Sequence, residues 1–140
     1  MSKINSLIEE MNKIKTSEYF YADFDDIVVN YDIQSITEEE FDMIFKFIEE
    51  NPYIDYGGPG SLVHFIEYFY GLEYESSLKK SILRKPTCQT LLMLNRVINA
   101  LEGNKKEEFI NLYKLVLEMD IPKNVLDEAL HYLNYQKDQI

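Results

Sequence analysis

YGGPGSLVHFIEYFY, running from Tyr56 to Tyr70, begins as a corner and continues as a helix. Three of the chain's five glycines stand at its start with Pro59 between them, and an apolar, aromatic run follows at once. Glycine reaches backbone angles that side chains forbid, while Pro59 fixes its own φ and removes a donor. Such a segment makes a tight turn, and Ser61 stands where a hydroxyl caps the first helical turn. Leu62, Phe65, Ile66 and Phe69 then recur at i, i+3, i+4 and i+7, giving one apolar face, which Gly71 closes. His64, Glu67 and Tyr68 share another face. The corner either positions a buried helix or frames a site. The scaffold reading is preferred, with His64 and Glu67 bracing the joint made by Gly57, Gly58, Pro59 and Gly60.

Outward from that stretch the same period recurs. Ile4, Leu7, Ile8, Met11 and Ile14 mark a short amphipathic helix. Thr37 followed by Glu38, Glu39 and Glu40 reads as a capping box, with acids at the helix's positive end. Phe41, Ile44, Phe45 and Ile48 form that helix's buried side, and Asn51-Pro52 ends it. Tyr74, Leu78, Ile82 and Leu83 predict a helix stopped at Lys85-Pro86. Thr87 caps another along Leu91, Leu94, Ile98 and Leu101, with Gly103 as its terminator. Phe109, Tyr113, Val116 and Leu117 carry the next as far as Asp120-Ile121-Pro122, and Val125, Leu126, Ala129, Leu130 and Leu133 the last. Residues 16–36 are harder: aromatic residues alternate with acids before Ile27-Val28-Val29, and the segment reads as helix-poor or partly helical, with a short unpaired strand as the other option.

The expected architecture is all-α, a single domain over residues 1–140 with about six or seven helices. Residues 37–137 form helical pairs, and residues 1–36 are the less regular N-terminal segment. Pro52, Pro86 and Pro122 each follow an amphipathic run at separations in the mid-thirties, close to the length of tetratricopeptide and HEAT-type repeats. No repeat consensus accompanies the spacing, so stacked HEAT-like pairs and an irregular bundle with similar hairpins both fit.

Composition narrows the function. With 46% apolar and 14% aromatic residues, the chain buries enough surface to fold. No apolar run approaches the roughly 20 residues of a membrane span, and the start lacks the pattern of a secretory signal. A lone cysteine, Cys88, rules out an internal disulfide and suits a reducing cytoplasm. The net charge of −11 is uneven: residues 1–56 hold 14 acids and 4 bases, residues 57–140 hold 11 and 10. Such a field repels nucleic acid and attracts basic protein, although acidity also serves simply as a solubility device.

No catalytic constellation emerges, and the chain is expected not to be an enzyme. GGPG lacks the lysine and spacing of a phosphate loop. Asp23, Asp25 and Asp26 lack the spacing and glycine of a calcium loop. His64 with Glu67 runs in the reverse order to the single Glu-x-x-His, Glu128 and His131, so a di-metal site is poorly matched and no metal or cofactor is expected. Cys88 begins a helix, where the dipole lowers a thiol's pKa, but a small buried role is commoner there. The aromatic–acidic mixture is more informative. Eleven tyrosines, many beside acids, suit either the edges of a core or interface anchors. On the second option Tyr19, Tyr21, Asp23, Asp25, Asp26, Glu38, Glu39 and Asp42 are the candidate partner-binding residues.

The pattern Gly-x-Pro-Gly-x-Leu-Val-His-Phe-Ile-Glu at Gly57 to Glu67, with Arg84-Lys85-Pro86-Thr87 and Met93-Leu94-Asn95-Arg96, resembles small bacterial immunity proteins of polymorphic and contact-dependent toxin systems. The likeness covers Tyr56–Leu101; Ser61 stands where the pattern often has a second proline, and Leu92 where it often has an aromatic residue. It implies stoichiometric neutralisation of one cognate toxin and supplies no catalytic residues. Asn95 and Arg96, on its third motif, either bond back to the corner or are simply exposed. Many such toxins are nucleases with basic surfaces, which an acidic, tyrosine-rich face would occlude sterically and electrostatically. The alternatives are a helical-repeat adaptor for another basic or helical protein and, third, a metal-dependent helical-bundle enzyme.

Overall fold

A computed structural model describes residues 2–138. They form eight α-helices, α1 (Lys3–Ile14), α2 (Phe20–Val28), α3 (Glu38–Glu50), α4 (Ser61–Glu67), α5 (Leu72–Arg84), α6 (Cys88–Asn99), α7 (Gly103–Leu117) and α8 (Lys123–Asp138). No strand occurs among the described residues. The chain is all-α, with one helix beyond the expected six or seven. The addition is α2, and Ile27-Val28, considered as strand, complete it.

The structure divides into two compact units, residues 1–77 and 78–140, with α5 running across the boundary. In the first, α1 packs on α2 and α3, and α2 on α4. Its core is aromatic. Phe20 stacks near Phe24 and Phe47 and meets Tyr56 edge-on at 5.3 Å, while Phe24 meets Phe65 at 5.9 Å. Phe41, Phe45 and Tyr70 surround the ring of buried Tyr74. In the second unit α6, α7 and α8 pack against one another, and the buried Tyr113 hydroxyl donates to the Leu91 carbonyl at 2.9 Å.

Two of the three expected hydroxyl caps, Thr37 and Thr87, stand at helix starts and make their bonds. Thr37 Oγ1 accepts from Glu40 N–H at 3.1 Å, and the Glu40 carboxylate accepts from Thr37 N–H at 3.0 Å. Thr87 makes the reciprocal pair with Thr90 rather than with an acid. Three expectations at helix ends are corrected. Ser61 is the first residue of α4, not its cap: Gly60 holds the cap position and offers no side chain. The helix also ends at Glu67, so Phe69 lies beyond it, and Gly71 instead immediately precedes α5, its carbonyl accepting from Glu75 N–H at 3.1 Å. Gly103 likewise opens α7 at φ +65° instead of terminating α6, which is capped by Ala100. Leu83 and Leu130, assigned to apolar faces, are about half exposed.

Candidate functional site

The corner is a closed loop of backbone against backbone. Gly57 and Gly60 take positive φ, +91° and +87°, and the Gly58–Pro59 peptide is cis. A Cβ on Gly60 would stand 1.7 Å from the Tyr56 carbonyl oxygen, and one on Gly57 would stand 2.7 Å from Gly60 Cα. Only glycine fits either place. Around them Asp55 Oδ1 accepts from Gly57 N–H at 3.0 Å, and the Tyr56 hydroxyl donates to Asn51 O at 2.8 Å. Burial pushes the Tyr56 phenol well above its ordinary pKa, which keeps it a donor. Ser61, freed from capping, donates from Oγ to Tyr21 O at 2.6 Å and ties the start of α4 to α2.

That tie creates a groove. Asp25 and Val28, three apart on α2, line one part of it; Gly60, His64, Phe65 and Tyr68 line the rest, enclosing an open space of about 510 Å³. Tyr68 is 83% exposed, and His64 Nδ1 lies 3.8 Å from Glu67 Oε1. Of the eight candidate partner-binding residues, five belong to α2 or the residue before it. Tyr19 and Tyr21 are exposed. Asp25 and Asp26 are exposed, and their carboxylates make no hydrogen bond or ion pair with the described residues. Asp23 differs, because its Oδ2 accepts from Ser17 Oγ at 2.6 Å, while Ser17 Oγ accepts from Tyr19 N–H and so stands in as the local brace of α2.

The other three stand at the start of α3 and are more engaged. Ser76 Oγ donates to Glu38 Oε1 and Ser77 Oγ to the Glu38 carbonyl, both at 3.3 Å. Asp42 pairs with Lys46 at 3.2 Å, and Glu39 is exposed. Glu38 precedes Phe47, the α3 residue that meets Phe20 of α2, by about 13 Å along the helix axis at 1.5 Å per residue. The eight residues thus fall into an α2 group and an α3 group. Val28, Phe65 and Tyr68 were missing from the candidates. Val28 stands three after Asp25, but no local pattern joins it to a helix some forty residues away.

On the Met93–Arg96 motif, Asn95 Oδ1 accepts from Gln136 Nε2 at 2.7 Å, and Asn99 Oδ1 from the same nitrogen at 2.8 Å. Asn95 therefore braces α6 against α8, where a bond to the corner had been one option. Arg96 is partly exposed. Neither histidine gathers ligands: among the described residues no three of His, Cys, Asp and Glu are placed to hold a metal ion, and the His131 ring lies edge-on to Tyr132. No helix is long and apolar enough to cross a membrane among the described residues.

Cys88 starts α6, but burial first and the nearby Glu128 second push its thiol pKa up, against the lowering bond from Asn124. A higher pKa means less thiolate at neutral pH and slower attack. Alkylation by iodoacetamide at pH 8 is therefore expected to run several-fold slower than that of a free cysteine peptide. Glu128→Gln should accelerate it by lowering the thiol pKa; a rate equal to the peptide's would contradict a raised thiol pKa at this half-buried position.

Compared with protein-family models, with curated proteins and with solved structures, the chain matches none.

Proposed function

We propose that this chain is an immunity-type protein, which binds a cognate bacterial toxin with a basic surface and neutralises it by occlusion. The observation that carries the reading is the exposed face of α2, where Tyr19 and Tyr21 accompany the carboxylates of Asp25 and Asp26, which have no partner among the described residues. Tyrosines offer large contact area at low entropic cost, and unpaired acids steer a basic partner into place. The resemblance at Gly57–Glu67 names the toxin as the partner. A nuclease suits the charge, since its phosphate-binding surface is basic. The working place is the cytoplasm, with neither nucleic acid nor membrane as ligand and no catalytic role.

The test is co-expression with the product of the gene immediately upstream. Growth rescue and a 1:1 complex on size-exclusion chromatography are expected; a harmless neighbour that forms no complex would remove the toxin reading and favour an adaptor for another basic or helical protein. With the complex in hand, Asp25→Lys together with Asp26→Lys should slow association at low salt by roughly tenfold or more and flatten its salt dependence. Asp23 is left intact because it braces α2. An unchanged rate and salt slope would sink the electrostatic mechanism.

A further inference from the structure

The groove between α2 and α4 combines features that a merely acidic surface lacks. Val28 and Phe65 give it an apolar lining, Tyr68 gives it an exposed ring, and Asp25 supplies a carboxylate with no partner among the described residues. Its frame is fixed by the Ser61–Tyr21 bond and by the Phe24–Phe65 contact beneath. We infer that this groove seats one arginine side chain of a basic protein partner, an inference that rests on the toxin-binding reading and deepens it. The arginine stem lies along Val28 and Phe65, its guanidinium plane lies over Tyr68, and its fork donates to Asp25.

Arginine fits each part better than lysine. Its cation is planar and weakly hydrated, stacks on aromatic faces and donates two parallel bonds to a carboxylate. An ammonium is more strongly hydrated, cannot stack flat on the ring and has no fork to match both carboxylate oxygens. The occupant also agrees with charge, since residues 1–56 carry 14 acids against 4 bases. The titratable groups in its lining are Asp25, His64 and Tyr68, and Glu67 stands 3.8 Å from His64. An aromatic anchor with a desolvated charge pair at its centre is the pattern of an interface hot spot.

The experiment titrates the isotopically labelled full chain with N-acetyl-arginine amide and, separately, N-acetyl-lysine amide. Saturating NMR shifts at Val28, Gly60 and Phe65 are expected with the arginine compound, at least fivefold tighter than with the lysine compound. Asp25→Asn, which keeps the shape and removes the charge, should weaken the arginine titration roughly tenfold. His64→Lys places a cation in the groove and should abolish it, while Glu107→Gln, an exposed acid on α7, should leave it unchanged. These side chains are exposed, and unchanged far-ultraviolet circular dichroism verifies folding of each variant. Equal response to both compounds, or indifference to Asp25→Asn, overturns the arginine seat. The toxin complex separates the two readings. Wild-type affinity of His64→Lys for the toxin removes the groove from the interface while neutralisation stands. Arginine uptake without any complex with the neighbouring gene product retains the groove and removes the toxin.

Discussion

Phe20→Ala is expected to lower stability by about 3–5 kcal/mol, the range for deleting a buried phenylalanine. The ring is fully buried at the first residue of α2. It touches aromatic rings from three other positions: Phe24 one turn on, Phe47 of α3 at 6.0 Å and Tyr56 at the corner at 5.3 Å. Aromatic pairs add about 0.5–1.5 kcal/mol beyond the area they bury, so losing one ring loosens all three partners. Tyr19 holds its cap position without a side-chain bond, and the polar ties on α2, Ser17 to Asp23 and Ser61 to the Tyr21 carbonyl, are few, so packing decides whether α2 forms. Phe20→Leu, which keeps most of the volume, should cost less than half as much. Urea denaturation followed by circular dichroism measures both. A loss under 1 kcal/mol for the alanine variant would mean that α2 is not held by this cluster.

The same helix explains where the sequence was legible and where it was not. Thr37 and Thr87 announced α3 and α6 correctly because a cap is local: the hydroxyl, the N–H it meets and the reciprocal side chain lie within four residues. For α2 the local evidence pointed elsewhere. Aromatic and β-branched residues disfavour helix intrinsically, and what outweighs that preference arrives from Phe47, Tyr56 and Phe65, distant in the chain. Gly71 and Gly103 were misjudged for another reason. In a short connection the residue after one helix is also the residue before the next, and composition does not say which helix owns it. Ser61 was read as a cap from its position after Gly60, but its hydroxyl is used across the fold, on Tyr21. The site divides along the same line. The acids and tyrosines of α2 were visible as residues, whereas the groove beside them exists only because the corner carries α4 onto α2.

That dependence makes Gly60 the most demanding position in the chain. Gly60→Ala is expected to cost about 3 kcal/mol or more, from two separable sources. The first is conformational: φ is +87° with ψ 171°, backbone that is essentially glycine's alone and costs a side chain about 1–3 kcal/mol. The second is collision, since the new Cβ would meet the Tyr56 carbonyl oxygen at 1.7 Å, and the obstacle is backbone, which cannot rotate aside as a flexible side chain can. Gly103 supplies the comparison. It also has positive φ, +65°, but a Cβ there meets nothing within 4 Å, so Gly103→Ala should show the conformational cost alone. Thermal and urea denaturation of the two variants should differ by at least 1–2 kcal/mol, a typical overpacking penalty. The readout at the groove is separate. Opening the corner shifts Ser61 away from Tyr21 and parts α4 from α2, so Gly60→Ala should also weaken the Phe24–Phe65 contact, seen as lost ring-to-ring nuclear Overhauser effects. Equal losses in the two variants would show that the Tyr56 carbonyl is not pressed against Gly60 in solution, and the corner would then be a flexible connection with no power to hold the groove in shape.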